Sequence, residues 1–286
     1  MHRRPNATGF MKVSTKHMTA PVRENRSMLG LSVALTAIVM LLPVPAIAQA
    51  TSPYAAALGT VVDPEDRTGT NPANLRTTVD LSNEFGSLGD GLFVDQATWR
   101  YAQSFAGRRM RAHVELPLSL ANVTGRTEAG FGDVVAGWEW VPAVRNRVAW
   151  LVGADVSADT ATNLSLASQH NILAPSAGLA IVPRRDTVLS VSYAQRLSLE
   201  SVEDIPDVNE GTLEAAIVHR FGDGTWIRAV PALVIDYRQR ETWGRVDAEW
   251  GRLLTGGAST WVHGGALIGA SRPFDWSLAV GFRFVQ

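Results

Sequence analysis

The chain of 286 residues contains no cysteine. That excludes a disulfide-stapled secreted module, a Cys-based zinc finger and a thiol nucleophile. Lysine is nearly missing too: Lys12 and Lys16 are the whole complement, and every other basic side chain is arginine. Net charge is only −1 with neutral histidine, so the chain has no field for holding nucleic acid. Across residues 74–286 no stretch places apolar residues at i, i+3, i+4 and i+7 for the length of a helix. One long apolar run exists, Leu29–Leu42. A content of 46% apolar residues still leaves ample surface to bury, which excludes a disordered class.

That single run has a basic stretch before it, with Arg3, Arg4, Lys12, Lys16, Arg23 and Arg26 against Glu24 alone. Pro43, Pro45 and the ladder Ala46-Ile47-Ala48-Gln49-Ala50 follow it. A positive n-region, an apolar h-region and an A-x-A site make residues 1–50 a secretory signal peptide with an extended n-region, removed after Ala48 or Ala50. The run is too short for a spanning helix, and two prolines interrupt its end. Initiation at Met11, Met18 or Met28 is an open alternative. Six of the 26 basic residues and one of the 27 acids lie in residues 1–50, leaving 20 against 26 and a net of −6. Residues 51–73 read as a short periplasmic lead, too small to fold as a plug.

What fills the rest is alternation with period two, the strand signal. Phe274, Trp276, Leu278, Val280, Phe282 and Phe284 share one face of the last run, opposite Asp275, Ser277, Ala279, Gly281 and Arg283. Met110, Ala112, Val114, Leu116 and Leu118 likewise oppose Arg111, His113, Glu115 and Pro117. Turn signals divide the chain into twelve runs: 74–85, 91–105, 109–120, 131–141, 147–158, 173–182, 187–198, 211–221, 225–238, 243–254, 260–269 and 274–285. Links after even-numbered runs are tight, whereas the long ones, 121–130, 159–172 and 199–210, follow odd-numbered runs. Short periplasmic turns alternating with longer outer loops are the pattern of an even-stranded outer-membrane barrel. The expected fold is therefore all-β: a closed antiparallel transmembrane β-barrel of about 12 strands over residues 74–286, apolar outside and polar within. Aromatic residues near the run ends, among them Phe85, Trp138, Trp140, Trp150, Trp226, Trp243, Trp250 and Trp261, read as interfacial girdles. A secreted soluble sandwich or lipocalin-like barrel is the competing architecture, but no run looks apolar on both faces.

Parity then assigns the lumen. Its basic face carries Arg76, Arg100, Arg111, Arg196, Arg220, Arg228, Arg238, Arg245 and Arg283. Its acidic face carries Asp80, Glu115, Glu139, Asp155, Glu214, Asp236, Asp247, Glu249 and Asp275. The guanidinium fork matches a carboxylate, so the first expectation is cross-strand ion pairing. The functional expectation is a constriction, with His113 beside it, built by Arg111/Glu115 and Arg245/Asp247/Glu249. A balanced lumen argues against a large pore of one sign. Two other classes compete: a structural barrel without transport, for which the loops offer little surface, and hydrolysis of lipid. His113 with Glu115, or His170 within Ser168-Gln169-His170-Asn171, would serve as base, yet no G-x-S-x-G elbow accompanies them. The Asp63, Glu65, Asp66 group lacks the order of a calcium loop. The loop acids Glu200, Glu203, Asp204, Asp207 and Glu210 read as a solvated acidic patch, with weak contact to divalent-bridged lipopolysaccharide as the alternative. No cofactor or resident metal is expected.

Gly130-Phe131-Gly132-Asp133, followed by Val-Val-Ala-Gly-Trp-Glu-Trp, resembles the glycine-aspartate strand opening of outer-membrane proteins of the phenol-degradation MetA-pathway type. Thr160–Ser168, leading into Ile172-Leu173-Ala174-Pro175-Ser176-Ala177-Gly178, is similar to that family's following segment. The resemblance implies a barrel that passes small, often hydrophobic or aromatic, solutes across the outer membrane. It also implies the bilayer, lipopolysaccharide and the insertion machinery as partners. One departure is the C-terminus, where Val285 and Gln286 follow Phe284 in place of a terminal aromatic.

Overall fold

Period-two alternation with frequent glycine leaves the backbone one way to satisfy its hydrogen bonds, which is pairing between neighbouring strands. The computed structural model describes residues 66–123, 125–202, 205–269 and 275–286. Residues 1–50, read as a signal peptide, and Asp63, Glu65, Glu203, Asp204 and Phe274 lie outside the described residues. The strands are β1 (Thr78–Gly89), β2 (Leu92–Phe105), β3 (Met110–Asn122), β4 (Glu128–Phe131), β5 (Val134–Trp140), β6 (Val144–Arg145) and β7 (Val148–Ala158). They continue as β8 (Ile172–Arg184), β9 (Thr187–Ser198), β10 (Asn209–Arg220), β11 (Thr225–Asp236), β12 (Glu241–Leu253), β13 (Ala258–Ile268) and β14 (Trp276–Val285). Because β4 and β5 both pair with β3, they are two pieces of one wall strand. The two-residue β6 only extends the hairpin into β7.

The wall among the described residues is thus a twelve-stranded antiparallel barrel. Each strand pairs with its sequence neighbour, and β1 closes the circle on β14 from Thr78↔Val285 to Ser87↔Trp276. All twelve expected runs are strands. The wall strand formed by β4 and β5 breaks at Gly132-Asp133, where Gly132 N donates to Pro117 O at 3.0 Å. Asp133 swings outward there and accepts from the amides of Thr160, Ala161 and Ser168 (3.1, 3.1 and 2.6 Å), pinning the β7–β8 loop. At the tip of β1–β2, Asp90 and Gly91 both have positive φ, the backbone a two-residue hairpin needs.

Parity sorts the side chains as the alternation requires. On β14, Leu278, Val280 and Phe282 are about half exposed on the outer face, while Ser277 and Ala279 are buried within. Exposed tryptophans at 138, 140, 150, 250 and 276 lie on the outer side. Three of the expected girdle residues do not. Trp226 is fully buried in the lumen over Gly251, where a Cβ would overlap its ring, and Trp261 lies likewise over Gly281. Trp243 shares the inward parity of Arg245 and Asp247 on β12. Parity, not position near a strand end, decided these three.

The second departure is at the N-terminal side. Residues 74–77 do not extend β1; together with residues 66–73 they pack inside the barrel at the end bearing the short turns. Ala73 and Leu75 are buried against inward-facing Val141, Ala149, Ala180, Val182, Val188 and Val218. Side-chain turns make the segment compact: Asp66 accepts from Thr68 N and Oγ1, and Asn71 Oδ1 from Ala73 N. A lead too short to fold alone is folded by the wall around it, because the lumen supplies the apolar partners it lacks. The outer face of β14 gives a direct check. Val280→Arg, near the strand's middle, should lower folding stability in bilayers by about 2–4 kcal/mol, read by reversible unfolding in denaturant.

Candidate solute path in the barrel lumen

Antiparallel register places residues of equal parity side by side, so inward charges meet their cross-strand neighbours directly. Arg100 stands opposite Glu115, and Arg111 opposite Glu139. The ion pairs follow that register: Arg100–Glu115 at 3.2 Å, Arg100–Glu139 at 3.4 Å and Arg111–Glu139 at 2.6 Å. Arg111 and Glu115, expected together at a constriction, both belong to this cluster but pair with different partners. Glu139 is shared by two arginines, and Glu115 belongs to Arg100. His113 lies buried beneath the group, its Nε2 3.3 Å from Asp155 and its Nδ1 3.9 Å from Glu139. Gly137 makes room for it, since a Cβ there would strike both Asp155 and the imidazole.

A second cluster occupies β10 to β13. Arg245 joins Glu214 at 2.6 Å and Asp247 at 2.7 Å, and His263 stands 3.4 Å from Asp247. Glu249, expected to belong here, instead accepts from the Trp226 indole at 2.7 Å. A cavity of about 200 Å³ opens among Glu84, Glu214, Arg228, Val230, Arg245, Asp247, His263 and Ser277. Glu84 and His263 were not among the expected site residues. The inward parity of Glu84 with Asp80 was the signal that could have found it.

The remaining candidates serve the two ends of the barrel. Arg76 precedes β1 and is buried in the inward segment. Arg283 pairs with Asp80 and also reaches the carbonyls of Thr68 and Gly69 at 3.3 and 3.5 Å. Arg220 holds Asp66 at 3.1 Å. Two arginines on different walls, β10 and β14, thus grip one segment across the short-turn mouth. Asp236 does not join the constriction; it accepts from the amides of Arg238 and Gln239 and caps the β11–β12 turn. Arg238 and Arg196 form rim pairs with Asp207 and Glu210 at 2.6 and 2.7 Å.

At the same rim, away from the short turns, the loop of residues 159–171 folds back over the wall. Asn163 donates to Ala129 O at 3.0 Å, and the buried His170 ring contacts Pro206 O at 3.0 Å. Burial, then the nearby negative charges of Asp133 and Glu200, push the Asp159 carboxyl above its ordinary value. Among the described residues neither the His113 nor the His170 ring is hydrogen-bonded to a serine hydroxyl, and no cluster of three or more potential ligands could hold a metal ion.

No protein-family model and no curated protein sequence matches the chain. Solved structures do match in fold. An outer membrane channel from Pseudomonas putida F1 superposes with a TM-score of 0.60 at 10% identity, covering 79% of this chain and 100% of that one. The NanC porin gives 0.55 at 12% identity, covering 73% and 98%. The KdgM porin gives 0.51 at 12%, covering 72% and 98%. The chain has the fold of a bacterial outer-membrane β-barrel.

Two outcomes follow from this geometry. Glu139→Gln leaves Arg100 and Arg111 sharing a neutral partner and should cost about 2–3 kcal/mol of stability, measured by denaturant unfolding in detergent. A carboxyl whose folded pKa is raised favours the fold only while protonated, and that contribution is lost as pH rises through the folded value. Asp159→Asn should therefore slow proteolytic nicking of the 159–171 loop at neutral pH. The difference should vanish below about pH 4, where the carboxyl of the parent is also neutral.

Proposed function

We propose that this barrel is a passive conduit for small solutes across the outer membrane. The observation that carries this reading is a closed wall, apolar outside, whose lumen is lined by both signs of charge and keeps a polar cavity. Charges this numerous inside a barrel are stable when water reaches them, and a wetted lumen is a path. Two features set a small size limit. The Arg100/Arg111/Glu139 and Arg245/Glu214/Asp247 clusters project from the wall, and the inward segment narrows the periplasmic mouth. The resemblance of Gly130–Asp133 and the segment after it to the phenol-degradation MetA-pathway type supports extending the reading to small hydrophobic and aromatic compounds. Lipopolysaccharide in the outer leaflet and the insertion machinery during assembly complete the proposed partners. A conduit is favoured over a lipid hydrolase because, among the described residues, neither candidate histidine ring is hydrogen-bonded to a serine hydroxyl that could act as nucleophile.

Planar bilayers test the reading. The purified barrel should give a small ohmic conductance, and liposomes carrying it should swell in sugars and small aromatics of low mass. Replacing Arg111 and Arg245 together by Ala should raise the conductance, because two guanidinium forks leave the lumen. Absence of both conductance and swelling would overturn the proposal.

A further inference from the structure

The short-turn end of the barrel carries a concentration of arginine that the lumen does not use. Arg145, Arg147, Arg184 and Arg185 are all exposed, on the two turns that flank the β7–β8 pair. The turns are tied together: Val182 N donates to Arg147 O at 2.9 Å, and the Arg147 guanidinium to Pro183 O at 2.6 Å. The one carboxylate on either turn is Asp186, which accepts from Thr187 Oγ1 at 2.9 Å. Asp186 also feels the charge of Arg184, so one carboxylate stands against four guanidiniums on the two turns and the pair of turns keeps a positive balance. The other short turns differ. Arg109 on β2–β3 is spent on Val141 O and Pro142 O, the β10–β11 turn carries Asp223 instead, and Thr255–Gly257 carries no charge. Arg108 on β2–β3 and Arg252 beside Asp223 are single further arginines at this end, so the positive charge is densest, four side chains on two joined turns, along this one arc.

Two observations give that arc a ligand. First, it faces the bilayer. Val144 and Ala149 pair in the inward register, so Arg145, opposite Val148, shares the outward register of Trp150. Trp140, Trp150 and Ile181 are 41%, 55% and 42% exposed on the lipid side of the same strands. Indoles mark the depth of the headgroups, so Arg145 stands on the lipid side at that level, and the two joined turns bring Arg147, Arg184 and Arg185 to the same end of the wall. Second, arginine's fork binds a phosphate by two parallel hydrogen bonds, and four forks on two joined turns can hold one or two phosphates. Short turns lie on the periplasmic side, where the leaflet is phospholipid. We infer that this arc is a binding site for the phosphate headgroup of an anionic phospholipid in the periplasmic leaflet. The site depends on the barrel and its orientation and is independent of what passes through the lumen.

The full-length barrel, reconstituted in phosphatidylcholine vesicles, provides the test. Tryptophan fluorescence is quenched by small additions of brominated phosphatidylglycerol or, in parallel, brominated phosphatidylcholine. The expected result is stronger quenching by the anionic lipid, with a local enrichment on the order of tenfold that falls with salt. Trp150→Phe should remove much of the extra quenching, which assigns it to this arc among the nine tryptophans. The R145Q/R147Q/R184Q/R185Q variant should be quenched equally by both lipids. Its folding is checked by heat-modifiable gel mobility, and if the fourfold variant does not fold, the pairs R145Q/R147Q and R184Q/R185Q are read instead, each with a partial loss. Equal quenching by the two lipids in the parent, or a preference unchanged in the folded variants, would overturn the site. Loss of conductance with the preference intact would overturn the conduit and leave the site standing.

Discussion

Closure between β1 and β14 is the constraint on which everything else in this molecule depends. Hydrocarbon offers no partner for a backbone amide, and an unsatisfied group there costs several kcal/mol. The ladder from Thr78↔Val285 to Ser87↔Trp276 removes the two edges that twelve strands would otherwise leave open. Once the circle is shut, each strand has one face to lipid and one to the lumen, and a one-residue slip would exchange them. The exposed Leu278, Val280 and Phe282 and the buried Ser277 and Ala279 record that choice on a single strand.

Enclosure also changes what the charged residues do. An arginine on the lipid face would be expelled, but in the lumen it finds acids at register distance. Glu139 serves Arg100 and Arg111 together, and Arg245 serves Glu214 and Asp247. Such clusters draw neighbouring strands together and at the same time occupy the path. Glycine is what lets large groups lie flat beside them: Gly137 under His113 and Gly251 under Trp226. The inward segment uses the same resource. Arg220 and Arg283 hold its polar atoms, and the valines of four wall strands, with Ala149, cover Ala73 and Leu75.

Several features were legible in the residues alone. Strand number, face assignment and the alternation of short and long links were all readable, because period two and turn chemistry are local properties. Arginine against acid across the lumen was readable as a pattern, though not as particular pairs. Arg111 goes to Glu139 and not Glu115 because neighbours on one strand, four residues apart, are farther from each other than cross-strand partners in register. Asp236 looked lumenal by parity and turned out to cap a turn, since parity says nothing of height along the axis.

The amino-acid order by itself thus determined that this chain must form a closed sheet with an apolar outside and a charged inside. Local alternation is enough for that, because lipid admits no other use of such strands. Tertiary structure alone decided the register around the circle, and with it the ion pairs, the lumenal tryptophans and the fate of residues 66–77. Each of those depends on groups brought together from strands far apart in the chain, and no local pattern encodes a distance that only closure of the barrel creates.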